Sequence, residues 1–213
     1  MTVTVEPALG GQVVDVGASL FARLKTHGRT GNLSVRSRDT VVVTPTGVSL
    51  GSLTVEGLSV IDLDGRHVAG PPPTKEAFLH AAVYRARPDA GGVVHLHSTY
   101  AVAVSCLSDV DPVDVLPPLT AYYAMRVGTL PLLPYHAPGD VGVEGLAEDA
   151  ARRSASFLLA NHGPVVSAAD LASAADAAEE LEETARLFFL LRGQPSRPLT
   201  ADEVESLARR FPR

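Results

Sequence analysis

Three histidines and one glutamate stand where chemistry could be built. His95 and His97 are separated by one residue in the apolar run Gly92-Val93-Val94-His95-Leu96-His97. On a strand, side chains alternate faces, so both imidazoles point the same way. Two imidazoles on one face are an economical start to a metal site. His162 ends a second apolar run, Ser156 to Ala160, just before Gly163. If the two strands are close, it adds a third nitrogen and leaves a position for substrate or water, as in catalytic rather than structural zinc sites. The plainer alternative is that each is a hydrogen-bonded residue at a strand end. His27, His67, His80 and His136 read as structural. His80 follows Glu76 by four residues on one helix face, and either supports it or simply packs.

Glu76 is the candidate general acid/base. It falls in the first turn of a helix expected from Thr74 to about Ala86, with Thr74 as N-cap, where the dipole favours a carboxylate. That placement alone also suits an ordinary capping acid. Thr74, Lys75 and the exposed amides of the turn form an anion site. Thr30-Gly31-Asn32 and Thr44-Pro45-Thr46-Gly47 are further turns of the kind that present N–H groups to phosphate. Together with the histidines they suggest a phosphorylated small substrate.

The elements that position these residues follow from periodicity. Gln12 to Lys25 has helical apolar spacing, preceded by what reads as a loose lead-in. Leu33 to Val35, Thr40 to Thr44, Leu58 to Leu63, Gly92 to His97, Leu130 to Tyr135 and Ser156 to Ala160 read as strands. Ser98 to Ser105, Val143 to Arg153 and Leu171 to Arg192 read as helices, the last the longest. Glu179 to Glu183 reads as a solvated or subunit-facing helix edge. The order predicts an α/β fold: a three-layer α/β/α sandwich around a mixed sheet, with residues 1–213 one domain.

Composition narrows the class. Hydrophobic residues make up 46% of the 213 residues, enough for a real core. A net charge of −6 without a basic run is a poor match to nucleic acid or an anionic membrane. No stretch is long and apolar enough to span a bilayer, and the first residues lack a basic start followed by an apolar segment. One cysteine, Cys106, excludes an internal disulfide. The expected location is the cytoplasm.

At this point the sequence resembles the class II aldolase/adducin family, the fuculose-phosphate-aldolase-like group. The matching stretches are Thr30-Gly31-Asn32-Leu33-Ser34, Thr44-Pro45-Thr46-Gly47, Pro73-Thr74-Lys75-Glu76, Val94-His95-Leu96-His97-Ser98 and Ala160-Asn161-His162-Gly163-Pro164. They occur in the family's order across roughly residues 12–195. The resemblance implies a mostly antiparallel central sheet, a homotetramer and a zinc held by His95, His97 and His162, with Glu76 as acid/base. It implies phosphate contact through Asn32 and Gly47, with Thr46 and Thr74 also among the residues meeting the substrate. It also implies a proton donor across the subunit interface at Tyr122, with Tyr123 as the alternative because the loop is longer here. The role of Arg29, where relatives carry a small hydroxyl residue, stays open.

Within the family, Lys75 before Glu76, Ala121-Tyr122-Tyr123-Ala124-Met125-Arg126 and Pro134-Tyr135-His136-Ala137-Pro138-Gly139-Asp140 look like the branch of 3-oxo-tetronate 4-phosphate decarboxylases. Such an enzyme would form dihydroxyacetone phosphate and carbon dioxide through an enediolate stabilised by the metal, with Glu76 returning a proton to C2. Lys75 would hold an anionic group of the substrate, or is a solvated lysine. A class II aldolase cleaving a ketose 1-phosphate, such as fuculose 1-phosphate, uses the same metal and base and is the alternative. An epimerase fits less well, since such relatives carry aspartate at the Glu76 position. A methylthioribulose-phosphate dehydratase is also compatible with the ligands. An adducin-like binding module would lack the full histidine set, which this chain keeps.

Overall fold

A computed structural model describes residues 4–211. Eight strands form one sheet in the order β4-β3-β2-β1-β5-β8-β7-β6. The strands are β1 Asn32–Ser37, β2 Thr40–Val43, β3 Ser59–Asp62, β4 His67–Ala69, β5 Gly92–His95, β6 Leu132–Leu133, β7 Ser156–Leu159 and β8 Gly163–Ala168. Every neighbouring pair is antiparallel except β6 with β7. The mixed, mostly antiparallel sheet is as the sequence predicts.

Strand alternation builds two cores. Val42, Val94, Leu96 and Val166 face one side, against the helices α1 Pro7–Ala22, α3 Thr99–Ser105 and α6 Leu171–Leu191. Val41, Val43, Val93 and Val165 face the other, against α2 Ala77–Ala86 and α5 Glu144–Arg153. Adjacent residues thus serve opposite layers, which is the period-two rule of a sheet covered on both faces. Two further helices are α4 Ala121–Arg126 and α7 Ala201–Arg210.

Several boundaries differ from the sequence reading. Helix α1 starts at Pro7, not Gln12, because proline fits the first helical turn. Helix α2 starts at Ala77 and puts Glu76 at the N-cap rather than inside the first turn. Thr74 is held back: its amide donates to the Thr44 carbonyl, and its hydroxyl accepts from the Glu76 amide. Strand β5 ends at His95, so His97 lies just beyond it. The short elements β4 and α4 and the largely buried strand β8 carry weak periodicity and lie outside the sequence reading, as does α7 despite its complete capping box, Thr200 with Glu203.

Candidate metal centre and substrate cleft

The ends of β1, β5 and β8 meet on one rim of the sheet. Asn32 pairs with His95 across β1 and β5, and His95 pairs with Val165 across β5 and β8. His162 sits in the turn joining β7 to β8. Two residues make that turn possible: Asn161 with φ +56° and Gly163 with φ +155°. A Cβ on Gly163 would stand 2.3 Å from the Leu96 carbonyl oxygen, so only glycine lets the turn close against the His95–His97 segment. Glu76 arrives from the helical layer that His95 faces, at the head of α2.

These four side chains converge, with ligand atoms within 4.8 Å of one another. His95 Nε2 lies 3.3 Å from His162 Nε2, and His162 Nε2 lies 3.0 Å from His97 Nε2. Glu76 places Oε2 3.3 Å from His95 and Oε1 3.3 Å from His162. The other ring nitrogen of His95 donates to the Pro164 carbonyl at 2.8 Å, which directs the Nε2 lone pair inward.

The electrostatics suit a cation. Burial, followed by the neighbouring histidines, pushes His97 down to about 3 and His162 down to about 4, so both rings are neutral near pH 7. Burial works against the charge on Glu76, but His95, then His162 and the Asn32 hydrogen bond, outweigh it and hold the carboxyl well below its ordinary value. Burial likewise opposes charge on His95, and Glu76 outweighs it and raises the imidazole. Lone pairs and a carboxylate therefore face one another around a point where only a proton or a metal ion relieves the repulsion. Ligands about 2.0–2.1 Å from a tetrahedral zinc stand roughly 3.3 Å apart, close to the separations found here. The donor set fits a divalent metal.

Two clefts flank the centre. One, about 170 Å³, is lined by Asn32, Thr46, Gly47, Thr74, Lys75 and Glu76 among others, and reaches His97 and His162. It gathers all five residues expected to meet substrate, with Arg29 and Thr30 beside them. The Asn32 amide is turned to Glu76 Oε2 at 2.8 Å. The second cleft, about 490 Å³, opens on the other side of His97 and His162 and is lined by His27, Tyr135 and His136. His27 and His136, read from sequence as structural, thus border the centre. His136 faces Asp140 at 3.1 Å.

Tyr122 and Tyr123 part company. Tyr122 is 59% exposed on α4, with the Arg126 guanidinium 5.6 Å from its ring centre, and neither cleft includes it. Tyr123 is buried against the α1/α3/α6 core.

Sequence reasoning passed over two supports. Glu182, expected on a solvated helix edge, is buried and accepts the amides of Tyr100 and Ala101 at the head of α3. Its neighbours keep closer to that expectation: Glu179 pairs with Arg23, and Glu180 accepts from Thr120. Behind Glu76, the buried side chains of Asn32, His80, Ser34 and Tyr84 are joined by hydrogen bonds. Burial pushes His80 down to about 3. The i, i+4 spacing of Glu76, His80 and Tyr84 was the available signal.

The family model for the Class II Aldolase and Adducin N-terminal domain matches residues 11–189, and the chain belongs to this family. A 3-oxo-tetronate 4-phosphate decarboxylase of Haemophilus influenzae is 50% identical over 199 residues, 93% of this chain and 95% of that protein. An L-fuculose phosphate aldolase of Escherichia coli is 31% identical over 205 residues, 95% of this chain and 94% of that protein. The crystal structure of YgbL from Klebsiella pneumoniae, described as an aldolase, epimerase or decarboxylase, superposes with a TM-score of 0.91 at 46% identity, covering 94% of this chain and 97% of that one.

Proposed function

We propose that this chain is a carbon–carbon lyase that decarboxylates 3-oxo-tetronate 4-phosphate to dihydroxyacetone phosphate and carbon dioxide. The observation that carries this reading is the convergence of His95, His97, His162 and Glu76 beside a cleft lined by Thr46, Gly47 and Thr74. It is joined by 50% identity to a decarboxylase of that name across nearly the whole chain.

His95, His97 and His162 would hold the metal, which we take to be zinc. A divalent ion held there would supply a Lewis acid that stabilises the charge left on the substrate. Thr46, Gly47 and Thr74 receive the phosphate through N–H and hydroxyl groups, and Asn32 closes the cleft beside them. Lys75, at the rim, neutralises an anionic group of the substrate. The C1–C2 bond breaks, its electron pair moves onto the C3 carbonyl, and carbon dioxide leaves. The reaction consumes one proton, which Glu76 takes up in the cleft and delivers to C2. Tyr122, exposed on α4, is read as reaching a neighbouring subunit's site, where its hydroxyl would hydrogen-bond the charge developing on the substrate oxygen, while Glu76 supplies the one proton the reaction consumes.

The whole chain is read as one domain, assembled as a homotetramer in the cytoplasm. Among the described residues, no helix is long and apolar enough to cross a membrane. The test is coupled detection of dihydroxyacetone phosphate from 3-oxo-tetronate 4-phosphate with zinc present. Turnover with release of carbon dioxide supports the reading. Inactivity of demonstrably metal-loaded protein overturns it, and cleavage of fuculose 1-phosphate instead would favour the aldolase.

A further inference from the structure

The polar chain behind Glu76 has a single direction. It starts from the carboxylate, which Asn32 approaches at 2.8 Å. An ionised carboxylate accepts only, so Asn32 must present Nδ2–H to it. The Asn32 Oδ1 then faces His80 Nε2 at 2.5 Å, and that nitrogen must carry the proton. The imidazole is wholly buried with no carboxylate on either ring nitrogen, so it is neutral and its Nδ1 is an acceptor. Ser34 Oγ, 2.7 Å from Nδ1, is therefore the donor. Ser34 spends its one proton there, so the Tyr84 hydroxyl, 2.9 Å from Ser34 Oγ, donates into the Ser34 group, where the Ser34 carbonyl oxygen accepts it at 3.0 Å.

We propose that His80 is a positioning residue, held as the Nε2–H tautomer with Ser34 donating to its Nδ1, that sets the orientation of the Asn32 amide and through it the Glu76 carboxylate. The opposite tautomer reverses the bonds from Ser34 through His80 to Asn32, while the Tyr84 hydroxyl keeps the Ser34 carbonyl. It would turn Asn32 Oδ1 toward Glu76 and set two acceptors against each other in a buried site. Three of the four side chains are fully buried, and Asn32 nearly so, leaving no room for water to repair such a mismatch. His80 touches neither cleft, so it acts only through Asn32.

The activity arm of the test rests on the decarboxylase reading; the spectroscopic arm does not. Long-range proton–nitrogen spectra of the intact protein labelled with ¹⁵N-histidine, assigned with His80→Gln, report which ring nitrogen of His80 is protonated. The expected result is Nε2–H and a bare Nδ1 across neutral pH, with Nδ1–H gaining population in Ser34→Ala. In turnover, His80→Leu should lose about 10- to 100-fold in kcat with KM little changed. His80→Gln keeps a donor toward Asn32 and should recover most of that loss. A purely structural role would lower thermal stability in both variants and leave kcat of the folded protein alone. A protonated Nδ1 in the native protein, or a folded His80→Leu with native kcat, overturns the proposal. If the native protein does not turn over the keto acid phosphate, the decarboxylase reading fails and the tautomer is still decided by the spectrum.

Discussion

Glu182 and Ala101 lie 81 residues apart, yet Glu182 Oε2 accepts the Ala101 amide at 2.8 Å while Oε1 accepts the Tyr100 amide at 2.9 Å. Helix α3 has no side-chain cap of its own at Ser98, so a carboxylate from α6 caps it instead. Helix α3 begins two residues after His97, so this contact fixes one edge of the metal centre. Glu182→Ala should cost about 1.5–3 kcal/mol of stability by urea unfolding. For a chain of this size that is a fall in Tm of roughly 2–4 °C for each kcal/mol. Zinc affinity should fall with it, measured by competition with a chromophoric chelator. Unchanged affinity in a destabilised variant would mean that His97 is held independently of α3.

Glu76→Gln should retain its fold and its metal, because three imidazoles remain. It should lose about 10²- to 10⁴-fold in turnover, the span expected when a positioned acid/base is removed. Metal content and rate measured on the same sample separate the two effects.

Removal of the metal leaves lone pairs and a carboxylate crowded together. Chelation should abolish turnover and lower Tm. Re-addition of zinc at about 100 times its dissociation constant should restore roughly 2.7 kcal/mol of stability. His162→Ala should lose both the metal and the response to it.

The pH dependence follows from His95. Its imidazole is raised by Glu76, while His97 and His162 are pushed down to about 3 and about 4. Near neutrality, His95 is therefore the group that must surrender a proton for a metal to enter. Zinc affinity should rise with pH until that proton is gone and then level off. Titration calorimetry in buffers of different ionisation heat should show net proton release on zinc binding that diminishes as pH rises. Affinity that does not change with pH would contradict this.

Lys75→Gln should raise KM for a substrate carrying both a carboxylate and a phosphate by about tenfold, worth roughly 1.4 kcal/mol, with kcat less affected. The lysine side chain runs along Gly139, where an added Cβ would sit 3.4 Å from the Lys75 Cβ. Its position is thus set by packing as well as by charge.

Much of this arrangement was legible in the sequence. The long helix α6 and the strands carrying His95 and preceding His162 have strong local signals, whereas the turns at Gly31 and Gly47 look like ordinary turns one at a time and gain meaning only beside the histidines. The start of α2 was not, because the tie between Thr74 and the Thr44 carbonyl is a tertiary contact that no helix propensity encodes. Strand β8, Gly163–Ala168, is buried on both faces for most of its length, so it shows no alternation. Glu182 was read as solvated because its neighbours are carboxylates; its burial depends on which way α6 is rotated against α3. The His80 chain required knowing that β1 lies beneath α2, a fact of topology rather than of composition.

His95 is the last residue of β5 and is paired on both sides, with Asn32 on β1 and Val165 on β8. A slip of β5 by one residue would swing His95 from the α2 side of the sheet to the α1 side, away from Glu76. A metal ion bound here therefore recognises the alignment of three strands at once. Folding in the presence of the ion separates the native ladder from its one-residue mispairings by the full binding free energy, so the centre acts as a ruler for the sheet that carries it.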